Sequence, residues 1–273
     1  MNSEVALITG ASSGIGLALA KEFARNGHGL VLTSPDQQTL EKAAAQITRQ
    51  YDVEVGIIDK DLTQPYAAEE IFRGLRASNT SIDILVNDAG IGQRGRFSET
   101  AIERDVEIVR LNIEAMLRLT KLFLQEVRPE SKARILNVAS IAGFGPGPLM
   151  AVYHASKAFV LSFSEALAIE LEDTGITVTA LCPGATDTDF FRKAEMTATR
   201  IYQKGKLMQA ETVAEGAYQA LMRGDDAYVP GRANKASVFA RRFTSTPLQA
   251  RKNQRNYEEV SLNDNKKNGY VSR

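Results

Sequence analysis

Short runs of apolar residues alternate with longer stretches of helical periodicity along most of the chain. The runs predict buried strands at residues 5–9, 29–33, 53–58, 82–87, 134–139, 177–181 and, more weakly, 227–230. The stretches predict helices, for example at residues 14–25, 36–50, 65–77, 106–127 and 149–172. Because the strands are almost uninterruptedly apolar, we expect an α/β fold in which helices cover both faces of a parallel sheet. Right-handed crossovers then give a three-layer, doubly wound sheet of about seven strands.

The domain organisation is simple, because no linker-like segment interrupts this pattern before residue 232. We predict one domain over residues 1–231 and a C-terminal extension over residues 232–273 that is partly helical and ends in a disordered polar stretch from residue 263. The extension contains ten lysines and arginines against three acidic residues. It can contact phosphate, an anionic membrane or an acidic neighbouring subunit, or it can simply be a solvated helix.

Two of the predicted helices are apolar on more than one face, near residues 109–127 and 152–171. A helix of this kind is usually buried on both sides. One side can pack on the sheet of its own subunit and the other on a second copy of the chain. We therefore expect a homodimer or a homotetramer.

The composition excludes several classes of protein. Lysine plus arginine and aspartate plus glutamate number 33 each, so the formal charge is zero and we expect no nucleic-acid partner. Cys182 is the single cysteine, which excludes an internal disulfide and fits a reducing compartment. Two scattered histidines, His28 and His154, predict no metal site. No apolar run approaches the ~20 residues of a membrane span, and the first strand leaves no room for a signal peptide, so a cytoplasmic protein is expected.

A glycine-rich turn follows the first strand directly and opens a helix. Its spacing, G-x-x-x-G-x-G, is looser than the G-x-G-x-x-G fingerprint of dinucleotide-binding sites and is a weak signal by itself. Its position at a strand-to-helix junction makes it informative, since backbone N–H groups there can hold a pyrophosphate at the positive end of the helix. The predicted cofactor contacts of this turn are Gly10, Ser12, Ser13, Gly14, Ile15 and Gly16.

Three later segments follow predicted strands at the same edge of the sheet, where ligands of open α/β sheets bind. A carboxylate after the third strand can accept from an adenine amino group, small residues after the fourth can face the adenosine, and a fixed turn after the sixth can line the nicotinamide. The corresponding predicted contacts are Asp61 and Leu62, then Asn87, Ala89 and Gly90, then Pro183 and Gly184.

Tyr153 and Lys157 lie four residues apart in a predicted helix, so their side chains share one face. A tyrosine ordinarily titrates near ~10 and is a poor acid or base at neutral pH. A neighbouring ammonium favours the phenolate, lowers the pKa of the tyrosine and makes its hydroxyl a usable proton donor and acceptor. The pair therefore predicts an acid/base centre.

These segments together identify a resemblance. The chain is similar to the single-domain short-chain dehydrogenases/reductases over about residues 3–231, in T-G-A-S-S-G-I-G at 9–16, N-D-A-G at 87–90, Asn112, Ser140, Y-H-A-S-K at 153–157 and Pro183-Gly184. The resemblance implies a Rossmann-like fold, with the domain of residues 1–231 both binding the dinucleotide and carrying catalysis. It implies an NAD(P)(H)-dependent oxidoreductase that interconverts a carbonyl and an alcohol through an Asn-Ser-Tyr-Lys tetrad.

The roles of the tetrad follow from the resemblance. Tyr153 would be the acid/base, and Lys157 would lower its pKa and bind the nicotinamide ribose. Ser140 would orient the substrate oxygen, and Asn112 would hold a water that relays protons to Lys157. Taken singly, Ser140 is typical of a turn and Asn112 of a polar position in a helix. His154 is expected to be a packed or surface residue rather than a catalyst.

Two positions depart from the family pattern. The usual Asn-Asn-Ala-Gly has Asp88 at its second position, so a contact that stabilises the sheet can differ. After the second strand, Ser34 and Pro35 supply neither the acidic residue of NAD-preferring relatives nor the arginine of NADP-preferring ones. Ser34 can donate to a phosphate, whereas Asp36 can repel one. We expect NADP as the cofactor, with NAD possible.

The segments expected to face the substrate are apolar. They contain Ile91, Ile141, Phe144, Leu149, Met150, Phe190, Phe191 and Met196, and residues 185–209 are long enough for a lid. We predict a small hydrophobic carbonyl or alcohol, contacted by Ser140, Phe144, Met150 and Tyr153; the alternative is that these apolar residues only pack within loops. Arg94 and Arg96 near the same mouth can pair with an anionic substrate or can be solvated.

Two other functions compete with the oxidoreductase. The first is a catalytically silent NAD(P)-binding protein that regulates or senses redox state, although such a protein has no need of a complete tetrad. The second is a hydrolase with Ser140 as nucleophile, against which stand the absence of a G-x-S-x-G elbow and of a suitable histidine partner.

Overall fold

The computed structural model describes residues 4–127 and 132–260. In them, seven strands form one sheet in the order β3-β2-β1-β4-β5-β6-β7, and every neighbouring pair is parallel. The predicted doubly wound, Rossmann-like fold is confirmed. The strands are β1 (Val5–Thr9), β2 (Gly29–Ser34), β3 (Val55–Asp59), β4 (Ile84–Asn87), β5 (Ala133–Val138), β6 (Ile176–Leu181) and β7 (Ala227–Tyr228).

Helices connect the strands and continue beyond the last one. They are α1 (Gly14–Arg25), α2 (Gln37–Gln50), α3 (Ala67–Ala77), α4 (Ile102–Val109), α5 (Met116–Glu126), α6 (Ala151–Glu170), α7 (Phe190–Lys193), α8 (Arg200–Lys204), α9 (Ala210–Arg223), α10 (Arg232–Arg241) and α11 (Thr246–Tyr257). A π-helical segment, Arg110–Ala115, joins α4 to α5, and a 3₁₀ turn, Ile141–Phe144, follows β5.

Alternation of side chains along the central strands fills two hydrophobic cores. Ile8 of β1 packs with Phe23 of α1 and with α9 on one face, whereas its neighbour Leu7 packs with Phe72 of α3 and Phe123 of α5 on the other. All five of these side chains are almost completely buried. Burial of both faces explains why the strands are apolar without interruption.

The predicted helix at residues 106–127 differs from the structure. The helical path begins earlier, at Ile102, and the π-helical segment interrupts it between Val109 and Met116. Within that segment Asn112 binds both backbone groups of Ile91, at 2.9 Å to its N–H and 3.0 Å to its carbonyl oxygen. A single wide turn that presents one functional side chain is typical of such segments.

The C-terminal extension contains α10 and α11, as the prediction of a partly helical extension requires, while its predicted disordered end, residues 263–273, lies outside the described residues. The boundary at residue 231 stays a prediction. In the part of the chain that the structure describes, no helix has the length and apolar character to cross a membrane.

The strand order reverses between β1 and β4, because the connections from these neighbours run to opposite ends of the sheet. Ligands of open α/β sheets bind in the crevice that this reversal creates at the carboxyl ends of the strands. The largest part of the candidate site lies at that edge.

Candidate active site

A cavity of about 460 Å³ runs along the carboxyl edge of the sheet. Most of the residues predicted from the sequence to bind cofactor or substrate line it. They are Gly10, Ser12, Ser13, Gly14, Ile15, Ser34, Asp61, Leu62, Ala89, Gly90, Ser140, Met150, Tyr153, Lys157, Pro183 and Gly184. Four others, Gly16, Asn87, Asn112 and Phe144, do not line the cavity, and each has a specific alternative position.

The glycine-rich turn has the backbone conformation that only glycine adopts easily. Gly10 and Gly14 have φ angles of 68° and 57°, in the left-handed region. Gly16 lies behind the turn, where an added Cβ would come within 2.6 Å of an Asp88 carboxylate oxygen. The turn and the start of α1 thus line the cavity with Gly10, Ser12, Ser13, Gly14 and Ile15, which fits a pyrophosphate at the N-terminus of the helix.

Asn87 contacts the neighbouring strand and helix instead of the cavity. Its amide group donates to the side chains of Asn137 on β5, at 2.8 Å, and Thr120 on α5, at 3.2 Å. The strand alternation sends this side chain into the helical layer while the backbone continues toward Gly90. Asn87 therefore holds the end of β4 in place, and a direct contact with the nucleotide has no support in this geometry.

Thr9 joins the ends of β1 and β4 directly below the cavity. Its hydroxyl accepts from the backbone N–H groups of Asp88 and Ala89, both at 3.0 Å, and donates to the carbonyl oxygen of Val86 at 3.3 Å. The hydroxyl satisfies backbone groups where the strand pairing ends. These bonds fix the turn that carries Ala89 and Gly90 along the cavity wall.

Asp88 is an ionisable group where the family pattern has an amide. Its carboxylate accepts from the backbone N–H of Gly16 and faces the charge of Lys157. Desolvation raises the pKa of Asp88, and both of those contacts oppose the rise. The side chain consequently links the start of α1 to Lys157.

Lys157 is a buried ammonium group, 6% exposed. Its Nζ donates to the carbonyl oxygen of Val138 at 2.7 Å. Burial lowers the pKa of Lys157, and the negative charge of Asp88 opposes that change. A buried charge needs such partners, because an unpaired one would be strongly destabilising.

Tyr153 does not show the lowered pKa expected from the sequence. Its ring centroid is 5.9 Å from Lys157 Nζ, and desolvation raises the pKa of Tyr153 to about 12. A hydrogen bond with the Ser140 side chain acts in the opposite direction. The cost of removing a phenolate from water exceeds the effect of the lysine, which the sequence alone does not reveal. In this arrangement Tyr153 is protonated at physiological pH.

Ser140 begins the 3₁₀ turn after β5. Its hydroxyl accepts from the N–H of Ala142 at 3.1 Å and lies 3.4 Å from the carbonyl oxygen of Pro183. The ends of β5 and β6 thereby place this hydroxyl beside Tyr153. Both residues line the cavity, as their predicted contacts with the substrate require.

Asn112 lies behind the cavity rather than in its wall. Besides its bonds to Ile91, its amide group donates to the Ser156 hydroxyl at 3.0 Å. A Cβ added to Gly90 would be 3.3 Å from both Asn112 Oδ1 and Lys157 Nζ. The two polar groups converge on this glycine, so Asn112 adjoins the lysine as expected, although the predicted water relay remains untested.

The far end of the cavity is apolar. Met150, Phe191 and Met196 are buried there, and Phe190 lies 5.2 Å from the Tyr153 ring, centroid to centroid. Phe144 is in a different cluster with Met116 and Val160, so its predicted contact with the substrate is absent from this geometry. Arg94, expected either to pair with an anionic substrate or to be solvated, forms an ion pair with Glu259 and does not line the cavity.

Several cavity residues escaped the sequence analysis. Lys60, Arg241, Asn253, Asn256 and Tyr257 line the cavity, and four of these belong to the C-terminal extension. No local motif marks the extension as part of a site. The one available signal was Tyr257 itself, an aromatic residue at the end of an otherwise polar helix.

Comparison with known proteins agrees with this geometry. The family model described as short chain dehydrogenase matches residues 4–199. An uncharacterised oxidoreductase of Staphylococcus saprophyticus is 33% identical over 82% of this chain and 93% of its own length. A short-chain dehydrogenase from Sphingobium yanoikuyae, solved in complex with NADPH, is 33% identical with a TM-score of 0.78, covering 88% of this chain and 94% of its own. The bulky-bulky ketone specific alcohol dehydrogenase from Comamonas testosteroni is 33% identical with a TM-score of 0.76. The match covers 89% of this chain and 93% of the dehydrogenase.

The chain belongs to the short-chain dehydrogenase family. The prediction of an NAD(P)-dependent dehydrogenase or reductase is confirmed at this level.

Asp88→Asn tests the electrostatic description of the site. The folded protein binds the Asp88 proton more tightly than the unfolded chain, whose carboxylate titrates near 3.8. Stability contributed by this group therefore falls as the pH rises above that value. We expect the variant to gain free energy of unfolding relative to the wild type as the pH rises toward neutrality, measured by urea denaturation at several pH values. Asp52→Asn, at an exposed position, is the control, and a pH-independent difference for Asp88→Asn would contradict the description.

Proposed function

We propose that this protein interconverts a carbonyl group and an alcohol on a small hydrophobic substrate, with a nicotinamide dinucleotide as the hydride carrier. The observation that carries the proposal is the convergence of Tyr153, Ser140 and Lys157 on one cavity. A phosphate-binding turn lies at one end of that cavity and an apolar wall at the other. Such a cavity can hold the dinucleotide that carries the hydride at one end and the substrate that exchanges it at the other.

The chain's own residues manage the oxygen of the substrate. The bound nicotinamide supplies or accepts the hydride. In the reductive direction Tyr153, which is protonated at neutral pH, donates its proton to the developing alkoxide. The Ser140 hydroxyl donates a hydrogen bond to the same oxygen, and the Lys157 ammonium lowers the cost of the negative charge. In the oxidative direction Tyr153 must first lose its proton, and the lysine charge favours that loss.

The apolar wall supports a substrate with a hydrophobic body. Met150, Phe190, Phe191 and Met196 line the cavity next to Tyr153. The similar alcohol dehydrogenase from Comamonas testosteroni is described as specific for bulky-bulky ketones. For the present chain we take over only the carbonyl chemistry: a ketone or secondary alcohol with an apolar substituent is the proposed substrate class.

The adenosine end of the cavity supports NADP, with NAD as a second possibility. Ser34 offers a hydroxyl there, and no carboxylate stands at positions 34 and 35. The backbone N–H of Lys60 donates to the Ser34 carbonyl oxygen at 3.0 Å, so the lysine adjoins this position. Its ammonium group, 2.7 Å from Glu70, is the cation that can reach a ribose phosphate.

A homodimer or homotetramer is part of the proposal. Ile102, Val106 and Val109 of α4 and Phe159 and Ile169 of α6 are exposed apolar residues. A second copy of the chain can cover these helices, of which α6 is one that the apolar pattern of the sequence predicted for such a contact. A solution mass equal to one chain would contradict this. A cytoplasmic location also stays a prediction.

The alternative of a catalytically silent binding protein gains no support. Ser140 and Tyr153 are hydrogen-bonded in the cavity and Lys157 adjoins them, an arrangement that cofactor binding alone does not need. The hydrolase alternative has less support still, since the His154 ring binds Gly145 and Tyr257 rather than Ser140.

Tyr153→Phe should abolish turnover and leave cofactor binding intact, because it removes only the proton-donating hydroxyl. We expect kcat to fall by at least ~100-fold. The measurement is NADPH consumption over a panel of ketones, aldehydes and diketones, together with calorimetric titration of NADPH. Tyr66→Phe, at an exposed position, is the matched control. Undiminished turnover in Tyr153→Phe would refute the proposed role, and NADPH binding without turnover of any panel member by the wild type would favour the silent protein.

Lys60→Met should weaken NADPH binding and leave NADH binding nearly unchanged, because only NADPH carries the additional phosphate. A hydrogen bond to a charged group is worth roughly 1.5–3 kcal/mol, reduced here by the competing Glu70, so we expect about a fivefold loss. Dissociation constants for both cofactors provide the readout, with Lys42→Met on the exposed face of α2 as the control. Equal losses for the two cofactors would remove the assignment.

A further inference from the structure

Helix α11 presents one buried face to the cavity although most of its surface is exposed. Asn253 and Tyr257, four residues apart on that face, are 7% and 8% exposed. Both line the cavity, as does Asn256 between them. The extension therefore reaches the cavity that holds Tyr153, about a hundred positions earlier in the chain.

A hydrogen-bonded chain fixes Tyr257 against α6. His154, the residue after Tyr153, has Nδ1 at 2.7 Å from the Gly145 carbonyl oxygen and Nε2 at 2.8 Å from the Tyr257 hydroxyl. A carbonyl oxygen only accepts, so Nδ1 carries the hydrogen and donates. Desolvation lowers the pKa of His154 and raises the pKa of Tyr257, so the imidazole is neutral. Nε2 then accepts from the tyrosine hydroxyl.

The loop before α6 holds the histidine and the helix together. A side chain on Gly147 would overlap the His154 ring, so only glycine leaves room for this orientation. The Asn253 amide donates to the Pro146 carbonyl oxygen at 2.8 Å. Three consecutive loop residues thus contact either the His154 ring or α11, namely Gly145, Pro146 and Gly147.

The residues after Tyr257 bind the segment that covers the apolar end of the cavity. The N–H of Arg200 donates to the Glu258 carbonyl oxygen at 2.9 Å, and the N–H of Val260 donates to the Ala198 carbonyl oxygen at 3.0 Å. Tyr257 itself packs in the cluster of Met150, Phe191 and Met196. The predicted lid at residues 185–209 is therefore attached to the extension.

We propose that Tyr257 is a specificity-determining residue that forms the outer wall of the substrate site, and that His154 is the positioning residue that holds its ring there. The proposal rests on the proposed oxidoreductase function. The Tyr257 ring limits the size of the substituent that fits beside Met150 and Phe191. The His154 hydrogen bond fixes the ring and so sets the limit.

The test uses two ketones of different size, acetophenone and the larger benzophenone, with the full-length protein saturated with oxidised cofactor. A ketone and an oxidised cofactor cannot react, so calorimetry measures binding without turnover. Tyr257→Ala should raise the affinity for benzophenone relative to acetophenone by about tenfold, the usual scale for a change of pocket size. Gln254→Ala, on the exposed side of α11, should leave this ratio unchanged.

The role of His154 is tested by a double-mutant cycle. Tyr257→Phe and His154→Leu remove the same hydrogen bond, so each should weaken acetophenone binding by a similar factor, about threefold, and the double variant should bind as the single variants do. If the affinity of the double variant for acetophenone fell by the product of the two single-variant factors, the positioning role of His154 would be overturned. Equal effects of Tyr257→Ala on both ketones, or a wild type that binds neither, would overturn the specificity role. Failure of the proposed oxidoreductase function is distinguished from these outcomes, because the wild type would then consume no NADPH with any carbonyl compound.

Discussion

The burial of the Lys157 ammonium is the constraint on which the rest of the site depends. A cation removed from water must be compensated, and the compensation here comes from the Val138 carbonyl oxygen and the Asp88 carboxylate. Asp88 in turn accepts from the N–H of Gly16 at the start of α1. The glycine-rich turn and the Tyr153–Lys157 pair are thus parts of one electrostatic unit. A change in the charge of either Asp88 or Lys157 therefore acts on the start of α1 as well as on the surroundings of Tyr153.

The same burial explains the state of Tyr153. Desolvation outweighs the hydrogen bond with Ser140, so the pKa of the tyrosine is raised and the side chain keeps its proton at neutral pH. The raised pKa makes the hydroxyl a weaker acid than a free tyrosine, but it can still donate to the more basic alkoxide that forms when a carbonyl is reduced. Oxidation of an alcohol requires the phenolate, whose charge the neighbouring ammonium stabilises. One arrangement of residues can therefore serve both directions, with different pH requirements.

Much of the fold and of the cofactor end could be predicted from the sequence, because local chemistry decides both. Uninterrupted apolar runs predicted strands buried on two faces, and the left-handed conformation of Gly10 and Gly14 explains the glycines of the turn. Strand alternation decided the direction of Asn87, which its motif alone did not reveal. The contribution of Tyr257 could not be predicted either, since it depends on how α11 returns over α6. Tertiary packing of distant segments leaves no periodic or short-range signal.

The most direct test of the account is the pH dependence of alcohol oxidation at saturating cofactor, compared between the wild type and Lys157→Met. If the ammonium favours the tyrosinate, the rate should rise with pH through a single ionisation in the wild type. The midpoint should move to higher pH when the ammonium is replaced by an uncharged side chain of similar length. The same midpoint in both proteins would show that the lysine charge does not act on the reacting tyrosine, and would contradict the account.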